Sequence, residues 1–107
     1  MELSQHSIVL VNLDPTIGSE MKKTRPCVVI SPDEMNRHLQ TIIIAPMTST
    51  SKPYPTRVSV QQKSTKGWIV LDKIRTIDRI RIVQVLGHLT ANESEQVKKV
   101  MKVTFVD

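Results

Sequence analysis

Short β-branched runs, none longer than a single strand, recur along this 107-residue chain and are bounded by proline or glycine. They are residues 8–13 (IVLVNL), 27–30 (CVVI), 41–45 (TIIIA), 57–60 (RVSV), 68–71 (WIVL) and 80–86 (IRIVQVL). Length and composition make these strand signals. Pro15, Pro26, Pro32, Pro46, Pro53 and Pro55 fall at or outside the run ends, where a residue lacking its backbone N–H does least harm to a sheet. Many short strands at close spacing predict a mainly β fold, a compact barrel or strongly bent sheet that leaves few open edges. No apolar run approaches the ~18 residues of a membrane span.

Two segments read as helices. Residues 31–36 (SPDEMN) open with a hydroxyl at Ser31, place Pro32 in the first turn and carry Glu34 three residues after Ser31. Thr90-Ala91-Asn92-Glu93 spells a capping box, with Asn92 as a rival cap. Beyond it, Val97, Val100, Met101 and Phe105 are expected on one face that packs against the sheet, with Lys98, Lys99 and Lys102 elsewhere. The tail at 103–106 (VTFV) suits either helix or strand.

A chain of this length forms one domain, residues 1–107. The opening fifteen residues carry no Lys or Arg and reach Asp14 early, unlike a secretory signal, so a cytoplasmic location is expected. Cys27 is the sole cysteine, which excludes an internal disulfide, and its apolar surroundings predict a buried small hydrophobe. His6, His38 and His88 lie far apart in sequence, so neither a metal nor another cofactor is expected. Charge is concentrated: of a net +5, residues 52–81 hold eight basic groups against two aspartates, a local +6. Such a segment serves either as a solubilising surface or as a seat for a polyanion or acidic protein.

The chain has no Gly-rich phosphate loop, nucleophile elbow or HExxH pattern. Two loops stand out: residues 14–24 (DPTIGSEMKKT), long for so small a domain, and residues 48–55 (TSTSKPYP). The remaining chemistry is that of Arg, Lys, Ser and Thr. This set suits cleavage of RNA by its own 2′-hydroxyl, in which the protein must position the backbone and neutralise charge on phosphorus without supplying a nucleophile. An Arg fork matches two phosphate oxygens, and a Thr hydroxyl adds a donor. By residue type alone, Arg25 fits either that clamp or a surface ion pair with Glu20.

Read in order, residues 13–20 (LDPTIGSE), 24–33 (TRPCVVISPD), 45–49 (APMTS), 54–55 (YP) and 71–78 (LDKIRTID) resemble the MazF/PemK family of toxin endoribonucleases, across nearly the whole chain. The resemblance implies a small SH3-like β-barrel (PemK/CcdB-like) with a short helix and a C-terminal helix. It implies the toxin of a type II toxin–antitoxin system, a homodimer that cleaves single-stranded RNA at short sequences without metal. The products would be a 2′,3′-cyclic phosphate and a 5′-hydroxyl. A cognate acidic antitoxin would block the RNA groove, and DNA would be met only through that antitoxin.

Carried over residue by residue, the catalytic pair falls on Arg25 and Thr48, and Ser19 and Glu20 fall on the RNA path. RNA contact is expected also from Lys22 and Lys23, which extend the first loop, and from Ser49, Lys52 and Tyr54 in the second. The LDKIRTID segment adds Asp72, Lys73, Arg75 and Thr76. Lys73 stands where the family usually has Gln, replacing a donor–acceptor with a donor only. Tyr54 suits base stacking or loop packing. Arg75 and Asp78 suit RNA, each other or a dimer interface, and Trp68 suits core or interface. Two other readings remain at this point: a non-catalytic barrel that binds RNA or an acidic protein, and a gyrase-poisoning toxin of the CcdB type.

Overall fold

The computed structural model describes residues 2–13, 24–50, 53–63 and 65–106. Among them, seven strands form one antiparallel sheet: β1 (Ser7–Asn12), β2 (Thr24–Val29), β3 (Thr41–Thr48), β4 (Arg57–Gln61), β5 (Lys66–Val70), β6 (Arg75–Asp78) and β7 (Ile82–His88). Helix α1 (Asp33–His38) joins β2 to β3, and α2 (Ala91–Phe105) follows β7. The sheet order is β4-β5-β3-β2-β1-β7, with β6 also on β3. On one edge β3 bonds first to β6, through residues 41–44, and then to β5, through Met47 and Thr48. This change of partner, with register shifts at Ile8/Val9 and Leu10/Val11 along β7, curls the sheet into a half-barrel, because an irregular ladder bends and twists a strand.

Both faces of the sheet are buried. Ile8, Val28, Ala45, Met47, Val58, Val60 and Ile69 form one core, closed by Val97 of α2 with Val100 and Met101 beside it. Val9, Val11, Cys27, Val29, Ile42 and Ile44 form the other, with Leu3, Ile77 and Ile82. Full burial of a side chain such as Val97 stabilises by about 1.5–3 kcal/mol.

The capping box at Thr90 is present. The Thr90 hydroxyl accepts from the Glu93 amide (3.2 Å) and the Glu93 carboxylate accepts from the Thr90 amide (2.9 Å). The same carboxylate accepts from the Gln61 amide (3.3 Å) and the Gln62 side chain (2.8 Å), tying α2 to the end of β4.

Several expectations change. The first helix starts at Asp33, because the buried Ser31 hydroxyl is committed to Asn36 and to the Ile43 amide of β3 rather than to a helix N-terminus. In the tail, residues 103–105 continue α2 and Val106 caps it, so no strand is added, and Phe105 is exposed beyond the packed face. The run at 80–86 is split. Asp78 accepts from the Ile80 amide and caps a 3-10 turn at Arg79–Arg81 before β7 begins. The short strand β6 has two exposed polar residues before Ile77 and gives no apolar run. Pro26 and Pro46 lie inside strands rather than at their ends.

Candidate active site

The first of these prolines shapes a cleft. The β2–β3 ladder pairs Val29 with Ile44, Val28 with Ala45 and Cys27 with Pro46, and stops there. Pro26, the next residue on β2, faces β3 as Ile30 does in donating to the Ile43 carbonyl, and it has no N–H to extend the ladder. The strands run on without a ladder. The same register carried two residues further sets Arg25 across from Thr48. Between them opens a cleft of about 250 Å³, lined by Thr24, Arg25, Pro26, Met47, Thr48, Ser49 and Lys66.

The antiparallel order explains why these residues meet. The end of β3 lies beside the beginnings of both β2 and β5. Trp68 pairs with Thr48 across β3 and β5, and alternation along β5 puts Lys66 on the same side of the sheet. The approach of β5 depends on Gly67, whose φ of +153° is one that L side chains rarely adopt, and a Cβ there would lie 2.7 Å from the Thr48 carbonyl oxygen. Arg75 pairs with Ile44, which places it on this face as well. Thr76, paired with Ile43, points to the opposite face.

Cys27 sits beneath the two arginines. Its thiol is fully buried and donates to the Arg25 carbonyl at 3.5 Å, which fixes the backbone under the guanidinium. Burial pushes the Cys27 pKa up to about 12, against the opposing pull of Arg25 and Arg75. The group therefore stays a thiol, as the sequence predicts for a small buried hydrophobe, and takes no nucleophilic part. The Thr48 hydroxyl donates to the Thr50 carbonyl at 3.0 Å and accepts from the Thr50 amide at 3.4 Å. It is thus held in a defined position and can turn its proton to another acceptor by giving up the Thr50 carbonyl.

The other expected residues fall in two groups. Tyr54 is half exposed, with the Arg57 guanidinium carbon 5.3 Å from its ring centroid. Arg57 is bonded to Asp72 at 3.2 Å, and Asp72 also accepts from Thr56 at 3.0 Å. Burial raises the Asp72 pKa, but the hydrogen bonds from Arg57 and Thr56 outweigh it and hold the carboxyl below its usual range. Asp72 therefore braces the turn that presents Tyr54, and Lys73 is exposed beside it. Asp78 is bonded to Gln40 at 3.1 Å and not to Arg75. Ser19, Glu20, Lys22, Lys23 and Lys52, with the loop at 14–23, lie outside the described residues.

Lys66 is the cleft residue that the motif reading missed. The Lys-Gly step before the 68–71 run is its only local signal, because its place beside Thr48 comes from long-range register. Among the described residues no group of three or more His, Cys, Asp or Glu could hold a metal ion. No described helix is long and apolar enough to cross a membrane.

Comparison with known proteins agrees with this architecture. The family described as PemK-like, MazF-like toxin of type II toxin-antitoxin system matches residues 4–105. MazF from Deinococcus radiodurans is 25% identical with a TM-score of 0.80, over 97% of this chain and 96% of that one. A MazE-MazF structure from the same organism matches at 25% identity and TM-score 0.80, over 100% and 99%. An endoribonuclease in complex with its cognate antitoxin from a Mycobacterial species is 18% identical with a TM-score of 0.82, over 94% and 92%, a likeness of fold. The curled antiparallel sheet, the C-terminal helix and the match across nearly the whole length lead to one assignment: this chain belongs to the PemK-like, MazF-like toxins of type II toxin–antitoxin systems.

Proposed function

We propose that this toxin is an endoribonuclease that cleaves single-stranded RNA at the cleft between β2 and β3. The observation that carries the reading is the meeting of Arg25 and Thr48 in one cleft beside Lys66, with no carboxylate among the described lining residues. The nucleophile belongs to the substrate. The ribose 2′-oxygen attacks the adjacent phosphorus, the 5′-oxygen leaves with a proton, and the products are a 2′,3′-cyclic phosphate and a 5′-hydroxyl. The protein holds the backbone in line and stabilises the charge that grows on the non-bridging oxygens.

Arg25 is the principal charge stabiliser. A guanidinium stays protonated at any physiological pH, which makes it a strong phosphate clamp and a poor base. Thr48 donates its hydroxyl proton to a non-bridging oxygen in exchange for the Thr50 carbonyl. Glu20 is the carboxylate of the first-loop motif and the candidate acceptor of the 2′-hydroxyl proton. Ser49 and Arg75 extend the donor surface, and Tyr54 offers a ring to a base. The toxin acts in the cytoplasm as a homodimer of single-domain subunits, and an acidic segment of its cognate antitoxin occupies the same cationic cleft.

The test is incubation of the purified chain with mixed-sequence RNA in EDTA, with both product ends mapped. Cyclic phosphate and 5′-hydroxyl ends at a restricted set of sequences are expected. Arg25→Ala should lower kcat by at least about 100-fold with no change in fold by circular dichroism. Full activity in that variant, or intact RNA with the unaltered chain, refutes the reading.

A further inference from the structure

We propose that Lys66 is a further substrate-binding residue, which holds an RNA phosphate next to the scissile one. The inference rests on the endoribonuclease reading and extends its site to a third strand. Lys66 lines the same cleft as Arg25, Thr48 and Ser49. It is exposed at the first position of β5, and it makes no ion pair with a described residue. Among the described residues lining the cleft there is no carboxylate, so none of them offers its ammonium a counter-charge there.

Its position follows from two ladders. Gln61 pairs with Lys66 across β4 and β5, and Trp68 pairs with Thr48 across β5 and β3. Continued by two residues, the second register sets Lys66 opposite Thr50, two residues past the end of β3. Arg25 lies on the far side of β3. The row Arg25, Thr48, Lys66 therefore crosses three adjacent strands. Neighbouring strands are about 4.8 Å apart, so the first and third lie roughly 10 Å apart. That span exceeds one phosphate and suits two successive phosphates of an extended RNA strand. With Arg25 and Thr48 on the scissile group, Lys66 meets a flanking one. An ammonium on a flexible stem binds as a point charge, which suits a phosphate that must be held but not transformed.

The experiment uses the full chain with Lys66→Met and Lys66→Arg, thermal melting as the fold control, and two RNAs: a cleavable oligonucleotide and its analogue with a 2′-deoxyribose at the cleaved position. For Lys66→Met, KM should rise roughly threefold to tenfold with the loss falling on KM rather than kcat. Binding of the uncleavable analogue should weaken by the same factor, and the slope of log Kd against log salt should flatten by about 0.7, the loss of one single-strand phosphate contact. Lys66→Arg should restore both, since it keeps the charge. A neutral methylphosphonate at the flanking phosphate should weaken the wild type and leave Lys66→Met indifferent. Cleavage by the wild type with KM and salt slope unaltered in Lys66→Met overturns this inference alone. A fall in kcat that Lys66→Arg does not restore also overturns it, because a residue at the reacting atoms would be indicated instead. Absence of cleavage by the wild type overturns both this inference and the endoribonuclease reading.

Discussion

Replacing Gly67 with Ala tests the link between the sheet and the cleft. At φ +153° an L residue is strained, at a cost of about 1–3 kcal/mol. The added Cβ would also lie 2.7 Å from the Thr48 carbonyl oxygen and 3.4 Å from its carbon. Relief requires β5 and the end of β3 to part by about 0.7 Å, measured against an ordinary contact of 3.4 Å. The atom in the way is backbone, which cannot swing aside like the end of a flexible side chain. Overpacking of this kind costs about 1–3 kcal/mol, so the two effects together reach about 2–6 kcal/mol. In a domain of this size each kcal/mol lowers Tm by roughly 4–8 °C, and a fall of at least about 8 °C is expected by calorimetry or circular dichroism.

The displaced atoms belong to the residue proposed to donate to the scissile phosphate. A misplacement approaching 1 Å can cost about 100-fold, so cleavage below the melting range should drop at least about tenfold. Gly87→Ala is the control. Nothing lies within 4 Å of a Cβ built at Gly87. That variant should stay within about 0.5 kcal/mol of the parent. The reasoning is refuted if Gly67→Ala melts within about 2 °C of the parent and cleaves at its rate. Equal losses in the two variants refute it as well, because the cause would then be glycine in a strand and not the contact with Thr48.

Two further outcomes follow from the buried groups. The Glu93 carboxyl lies below its usual range: burial raises its pKa, but bonds from Thr90, Gln62 and Gln61 outweigh that effect. Its contribution is therefore present above the ordinary Glu pKa of about 4.3 and lost as pH falls through the lower folded value. Glu93→Gln should be less stable by about 1–3 kcal/mol at pH 6, and its Tm should fall less than that of the parent between pH 6 and pH 3. A parallel fall in both proteins would contradict this assignment. Cys27, buried and held as a thiol, should react with iodoacetamide only as fast as the protein opens, at least about 100-fold slower than a free thiol at pH 8. Modification at the free-thiol rate under native conditions would remove it from the core.

The parts of the fold that could be read from sequence are those set by local rules. Alternation in RVSV and the β-branched density of TIIIA gave strands because side chains on a pleated sheet repeat every two residues. Thr90 and Glu93 gave the start of α2 because a capping box is complete within four residues. Pro26 and Pro46 were read as boundaries because proline disrupts a fully bonded strand. Pro26 instead sits where the β2–β3 ladder is ending, so its missing N–H opens a gap and does no damage, and Pro46 lies opposite Cys27 with its nitrogen turned away from β2. Strand β6 was missed because Ile77 alone of its residues is buried. At the site, the family motif brought Arg25, Thr48 and Arg75 into view. Lys66 stayed hidden because its partners are eighteen and forty-one residues away in sequence, joined only through the register of β3.

Cationic groups line this cleft from strands packed on two buried cores, and strands hold such groups more rigidly than loops do. Without an anion, Arg25 and Lys66 repel each other across β3, and Arg75 adds to the same field. Folding must bear that repulsion, and a bound polyanion relieves it. The relief is greatest for a ligand whose charges are spaced to meet Arg25 and Lys66 together, as successive phosphates along an extended RNA are. It does not depend on the chemistry of the anion, so a run of carboxylates on an acidic antitoxin gains from it too. On the proposed function, one cleft then serves both partners by one force: RNA and antitoxin are expected to compete for it, each stabilising the fold by mass action, and only RNA carries the hydroxyl that turns binding into cleavage.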